Sequence, residues 1–218
     1  MTQKKRDGKR KNRNERFGKK PDLGYYTIIV NTEDTEKYYF KGFRDSLPPG
    51  LRRRMSIVVK EAKTINMIET CKNEVAYDAQ NREGWIVFDR DQMADFDKMI
   101  IDAKAEGISV GWSNPCFEIW LYAYYGEMLV MRNTMPENAS QECCRRFGEI
   151  YERNKHIQYS KSESALYSHL IQTGNEENAI RIAQRRYDQC KIDYKNPSEM
   201  NSCTTVFKLI SQIRDKVY

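Results

Sequence analysis

The sequence has no apolar run approaching the roughly 18 residues that a membrane span requires. Its first twenty residues, MTQKKRDGKRKNRNERFGKK, hold no hydrophobic stretch of the kind a secretory signal carries. The expectation is a soluble, cytoplasmic protein with no membrane partner. Eleven Gly and 6 Pro in 218 residues, with no dominant period, exclude a collagen-like or repeat architecture. Histidine is scarce, with only His156 and His169, and the six cysteines (Cys71, Cys116, Cys143, Cys144, Cys190, Cys203) contain no Cys-x-x-Cys pair. That pattern argues against a zinc site built from closely spaced ligand pairs and predicts free thiols in a reducing compartment. His156 has the chemistry of a general acid or base, although a hydrogen-bonded structural role is the plainer reading.

What the sequence does have is charge, unevenly placed. The chain carries +6 overall, yet residues 1–20 alone hold ten Lys or Arg against Asp7 and Glu15, a net of +8, so the remainder is close to neutral at −2. A segment this polar cannot bury itself, which predicts a disordered basic arm over 1–20. Such an arm either solubilises the chain or seeks phosphate with an affinity that falls steeply with salt.

Downstream, hydrophobic patterning alternates between two types. Short runs rich in β-branched and aromatic residues at Tyr25–Val30, Met55–Val59, Trp85–Phe88 and Ile108–Trp112 read as buried strands. Between them, Asp34–Leu47, Ala62–Tyr77 and Asp95–Ala105 carry helical spacing; Phe96, Met99, Ile100 and Ala103 fall at i, i+3, i+4 and i+7, with Gly107 beyond them. Alternation of this kind predicts an α/β fold with a mostly parallel sheet flanked by helices, over about 24–130. From Phe117 the pattern is helical, with segments at Phe117–Tyr125, Ala139–Arg153, Ser162–Gln172, Glu177–Lys191 and Thr204–Val217. This predicts a helical C-terminal region over 135–218, either packed on the sheet or standing apart as a lobe.

In parallel sheets, ligands bind at the carboxyl ends of the strands. The run Trp85–Phe88 leads directly into Asp89-Arg90-Asp91, and two carboxylates at i and i+2 share a face if the extended backbone continues through them. That pair suits a hard divalent cation, Mg²⁺ or Mn²⁺, of the kind used in phosphoryl chemistry. The competing reading is turn and cap chemistry, which suits Asp after a strand equally well. The first strand also runs into acidic residues at Asn31-Thr32-Glu33-Asp34-Thr35-Glu36, where Thr32, Asp34 or Thr35 can instead cap the following helix. In Ser113-Asn114-Pro115-Cys116-Phe117-Glu118, Ser113 or Asn114 is placed to cap the helix that Pro115 opens. Glu118, set in an aromatic helix, needs a partner if buried, which favours a site role. Phe117, Trp120, Leu121 and Tyr124 recur at core spacing, which favours packing over base stacking.

Together, Asn31 to Phe40, Val87-Phe88-Asp89-Arg90-Asp91 and Ser113 to Leu121 resemble the RloB-like proteins, a bacterial family associated with restriction-modification and abortive phage-resistance loci. Ala179–Ala183 and Thr204-Thr205-Val206 resemble its C-terminal part, so the resemblance spans about residues 25–215 and leaves the basic arm outside. It implies a Toprim-like fold in which a Glu after the first strand and an Asp-x-Asp after a later one handle divalent metal during cleavage of nucleic-acid phosphodiesters. Asp89 and Asp91 carry over directly. An ungapped match places Asn31 at the first acidic position, whereas a loop two residues shorter places Glu33 there; Lys37 stands where the family pattern has Pro. An Asn at that position cannot act as a base.

The expected site is therefore Glu33, Asp89 and Asp91 on Mg²⁺ or Mn²⁺, with Glu36 or Glu118 assisting proton transfer and Lys37, Asn114, Lys155 and Lys161 toward substrate. The expected partners are RNA, tRNA among it, or DNA, and a protein of the same defence system. The alternative expectation is a non-catalytic binding or sensor subunit beside a partner enzyme, which Asn31 favours.

Overall fold

The computed structural model describes residues 22–31, 35–76, 82–91, 93–129 and 138–217. The basic arm over 1–20 and Glu33 lie outside them. Among the described residues the sheet has five strands: β1 (Gly24–Val30), β2 (Met55–Glu61), β3 (Arg82–Asp89), β4 (Ser109–Asn114) and β5 (Cys203–Thr204), in the order β2-β1-β3-β4-β5. All pairings are parallel except β4 with β5. The helices are α1 (Thr35–Ser46), α2 (Pro49–Arg52), α3 (Met67–Ala76), α4 (Phe96–Ala105), α5 (Glu118–Tyr122), α6 (Ala139–Lys155), α7 (Leu166–Thr173), α8 (Glu176–Asp193) and α9 (Val206–Arg214). This is the mostly parallel, helix-flanked sheet of the Toprim-like expectation. No helix among these residues is long and apolar enough to cross a membrane.

Both sheet faces are covered, and strand alternation decides which residue serves which face. Tyr26, Ile28 and Val30 of β1, with Trp85 and Val87 of β3, pack against α1, α5, α6, α7 and α9; Ile29, Ile86, Phe88, Val110 and Trp112 pack against α3 and α4. The C-terminal helices therefore lie on the sheet, and one hydrophobic core joins Tyr39 and Phe117 to Phe147, Tyr151, Leu166 and Ile210. Tyr39 sits at its centre, edge-on to Phe40, Phe117, Trp120, Tyr124 and Tyr167. Phe117, Trp120, Leu121 and Tyr124 are fully buried, so the aromatic helix is packing.

Three local expectations are corrected. The segment from Ala62 is not helical at once: β2 runs to Glu61 and a single 3-10 turn at Thr64–Asn66 precedes α3. Thr204 belongs to β5, and α9 begins only at Val206. Neither Ser113 nor Asn114 caps α5, which starts at Glu118 without a side-chain cap. The Ser113 hydroxyl instead lies 2.9 Å from that of Thr204, and the Asn114 amide donates to the carbonyls of Pro197 and Ser198, each at 3.1 Å. The Asn114–Pro115 peptide is cis.

Candidate active site

The chain leaves β1 for β2 on one side and returns to β3 on the other, so the strand order reverses between β1 and β3. Crossovers on opposite sides open a crevice beyond the carboxyl ends of those two strands, where ligands of open α/β sheets bind. A cavity of about 620 Å³ occupies this place, lined at the strand ends by Asn31, Asp89, Arg90 and Asp91 and at its outer wall by Ile65, Ile68, Met93, Asp95, Lys98 and Asp102. The β1–β3 register pairs Ile29 with Ile86, which brings Asn31 beside the strand end that carries Asp89.

Asp89 is the last residue of β3 and still pairs with Ser113 of β4. The backbone N–H of Arg90 donates to Ser113 at 2.8 Å and that of Asp91 to the Pro115 carbonyl at 2.8 Å, so β4 and its corner hold the motif in place. Asp91 adopts φ 36, so the strand alternation expected to aim both carboxylates one way stops before it. Both nevertheless line the same cavity. The half-buried Asp89 and exposed Asp91 present hard oxygen donors on a wall a substrate can reach, a donor set suited to Mg²⁺ or Mn²⁺. The third acid of the expected set, Glu33, lies outside the described residues.

Beside this wall is a buried carboxylate. Glu118 is 1% exposed, and its Oε1 accepts the Tyr159 hydroxyl at 2.8 Å. The Thr35 hydroxyl lies 3.3 Å from the same Oε1 and 2.9 Å from Tyr159 Oη, and the Lys161 ammonium stands 3.8 Å away. Burial, and after it the Glu118 charge, pushes the Tyr159 phenol well above its usual range and keeps it a donor. For Lys161, partial burial opposes the charge, but Glu118, the nearby thiols and Asp89 outweigh it and lift the pKa above the ordinary lysine value. Lys161, whose side chain is about half exposed, thus stands against Glu118 and within the electrostatic reach of Asp89.

The remaining expected residues are dispersed. Glu36 is buried in the first turn of α1. Lys37 pairs with Glu61 at 3.0 Å, at the end of β2. Lys155 donates to Gln172 at 2.6 Å on the outer helices. Asn114 is fully buried against the segment before β5. His156, at φ 58, terminates α6. Thr35, the first residue of α1, is a partner of Glu118 that sequence reasoning did not connect to it, and the link from Tyr159 to that carboxylate was likewise not drawn. Cys116 and Cys144 were missed too: with Glu118 they form, among the described residues, the group of three metal-capable side chains whose ligand atoms all lie within 4.8 Å of one another. The spacing Cys116-x-Glu118 was visible in the sequence, but Cys144, on another helix, was not connected to it by any local pattern.

The sequence model of the RloB-like protein family matches residues 26–213. The chain belongs to the RloB-like family. That match takes in all five strands of the RloB-like fold save the first two residues of β1, and every described residue of the site. No curated protein matches the sequence. Among solved structures, the RloB-like chain is similar to the C-terminal region of the OLD protein of Xanthomonas campestris pv. campestris, at 16% identity and a TM-score of 0.36, over 89% of this chain and 94% of that one.

Proposed function

We propose that this RloB-like protein is a metal-dependent nuclease that cleaves nucleic-acid phosphodiesters, in RNA (tRNA included) or DNA, as part of bacterial anti-phage defence. The observation that carries the reading is the placement of Asp89 and Asp91 on one cavity wall at the strand-order reversal. Family membership supports a nuclease-related role in defence. Asp89 and Asp91, with Glu33, would hold Mg²⁺ or Mn²⁺. Such an ion, when bound, supplies Lewis acidity at the phosphoryl oxygen and lowers the pKa of a bound water.

Lys161 offers a fixed positive charge where negative charge accumulates during phosphodiester cleavage. Glu118, with Oε1 committed to Tyr159 and Lys161, is a positioning residue that holds this ammonium. The basic arm and a defence-system partner protein would bring nucleic acid to the site.

The test is cleavage of labelled tRNA, single-stranded RNA and duplex DNA with Mg²⁺, with Mn²⁺ and with chelator. The wild type should cut at least one substrate in a metal-dependent way, and the Asp89→Ala, Asp91→Ala double variant should cut none while keeping its circular dichroism spectrum. Full activity in the folded double variant would overturn the assignment. One observation favours a second reading, a non-catalytic binding subunit: Asn31, which cannot take up a proton, stands at the β1 strand end within the same cavity. Nucleic-acid binding that persists in chelator, without cleavage of any substrate, would install that reading instead.

A further inference from the structure

We infer that Cys116, Glu118 and Cys144 form a second metal site, specific for a thiophilic divalent ion of the zinc class and distinct from the carboxylates at Asp89 and Asp91. The inference does not rest on the nuclease reading. Three segments converge there: the corner after β4 contributes Cys116, the first residue of α5 contributes Glu118, and α6 contributes Cys144.

The geometry matches such an ion. Two thiolates on one tetrahedral zinc, each at about 2.3 Å, stand about 3.8 Å apart. The Sγ atoms of Cys116 and Cys144 are separated by 3.8 Å, and a Glu118 oxygen lies within 4.8 Å of both. The Tyr159, Thr35 and Lys161 contacts of Glu118 all fall on Oε1, so Oε2 is the oxygen available to the ion.

The donor set selects the metal. Two sulfur ligands disfavour Mg²⁺ and Ca²⁺, which take oxygen, and favour zinc and its soft neighbours. Charge closes as well: two thiolates and one carboxylate carry −3, which a divalent ion and the Lys161 ammonium balance. A buried charge cluster that sums to zero avoids the desolvation cost of an unpaired ion. Three protein ligands leave the fourth tetrahedral position for a water. The polypeptide spacing differs from the paired-ligand pattern, which is why the cysteine arithmetic of the sequence pointed the other way.

Cobalt(II) is the probe. Metal-stripped, reduced full-length protein titrated with Co²⁺ should develop a thiolate-to-cobalt charge-transfer band in the near ultraviolet, with intense visible bands typical of tetrahedral coordination, saturating at one equivalent. Zinc should displace them; Mg²⁺ should not. Cys144→Ser, at a half-buried position that tolerates the change, should abolish the charge-transfer band with an unaltered circular dichroism spectrum, as should Cys116→Ser if it folds. Glu118→Gln should shift the visible bands and keep the sulfur band. The Asp89→Ala, Asp91→Ala variant should develop the same thiolate-to-cobalt band as the wild type, so failure of the nuclease reading leaves this result standing. Absence of a sulfur band, its persistence in folded Cys144→Ser, or recovery of a Cys116–Cys144 disulfide from protein that takes up no metal would each overturn the site.

Discussion

Lys37, Lys155 and Lys161 carry the same charge but not the same surroundings. Lys37 is taken up by Glu61 and Lys155 by Gln172. Lys161 is the lysine whose field partners include both Glu118 and Asp89. Removing a preorganised charge that meets transition-state negative charge costs about 10²–10³ in rate. Lys161→Ala should therefore lower single-turnover cleavage by about that factor, while Lys37→Ala and Lys155→Ala leave it essentially unchanged. Equal losses in all three would mean that they act only as a diffuse attracting field. The isolated acid in an aromatic helix was readable in advance as a residue in need of partners, because burial of a carboxylate is costly whatever the fold. Its partners were not readable: Thr35, Tyr159 and Lys161 lie 83, 41 and 43 positions away, and only α1 and the segment after α6 meeting over α5 bring them together.

At the scale of elements, α1 and α7 approach closely enough that Gly42 touches the Tyr167 side chain. A Cβ at position 42 would fall 2.6 Å from Tyr167 Cβ, well inside contact distance. Tyr167 cannot retreat, because its ring packs on Tyr39 and Phe43 and its hydroxyl donates to Glu176 at 2.8 Å. The same carboxylate accepts Tyr124 at 3.0 Å and Arg214 at 2.6 Å, which ties α7, α8 and α9 to the aromatic core. Overpacking at such a contact costs about 1–3 kcal/mol. Gly42→Ala should lower the urea midpoint by a corresponding amount, and an unchanged midpoint would show that the α1–α7 contact relaxes freely.

The elements that periodicity revealed are those long enough to show it. The five-residue core of β1 and the ten-residue α4 display their pattern, whereas β5 has two residues and no period at all. The start of α3 was misplaced for a related reason: Ile65 has helical spacing to Ile68 but is 90% exposed, in the 3-10 turn ahead of the helix.

For the whole molecule, the charge asymmetry sets the terms of nucleic-acid binding. Ten cations in residues 1–20 stand against a nearly neutral remainder. Phosphate contacts by cationic side chains release counterions, so the logarithm of affinity falls linearly with the logarithm of salt concentration. A chain lacking residues 1–20 should bind nucleic acid more weakly, with a shallower salt slope, and keep its melting temperature. An unchanged slope would place the phosphate contacts on the folded part.

By itself the sequence determined the alternating strand and helix order, the parallel sheet that follows from it, the acidic strand end at Asp89 and Asp91, and the family resemblance. These properties are local, written in spacings of two and 3.6 residues and in contiguous motifs. Tertiary structure alone decided the strand order that sets Asn31 beside Asp89, the turn at Asp91 that replaces strand alternation, the commitment of Asn114 to the segment before β5, and the meeting of Cys116, Glu118 and Cys144. Each of these depends on segments dozens of residues apart sharing one sheet edge. Which segments meet there is settled by how the helices divide between the two faces to bury their apolar sides, and no local spacing records that division.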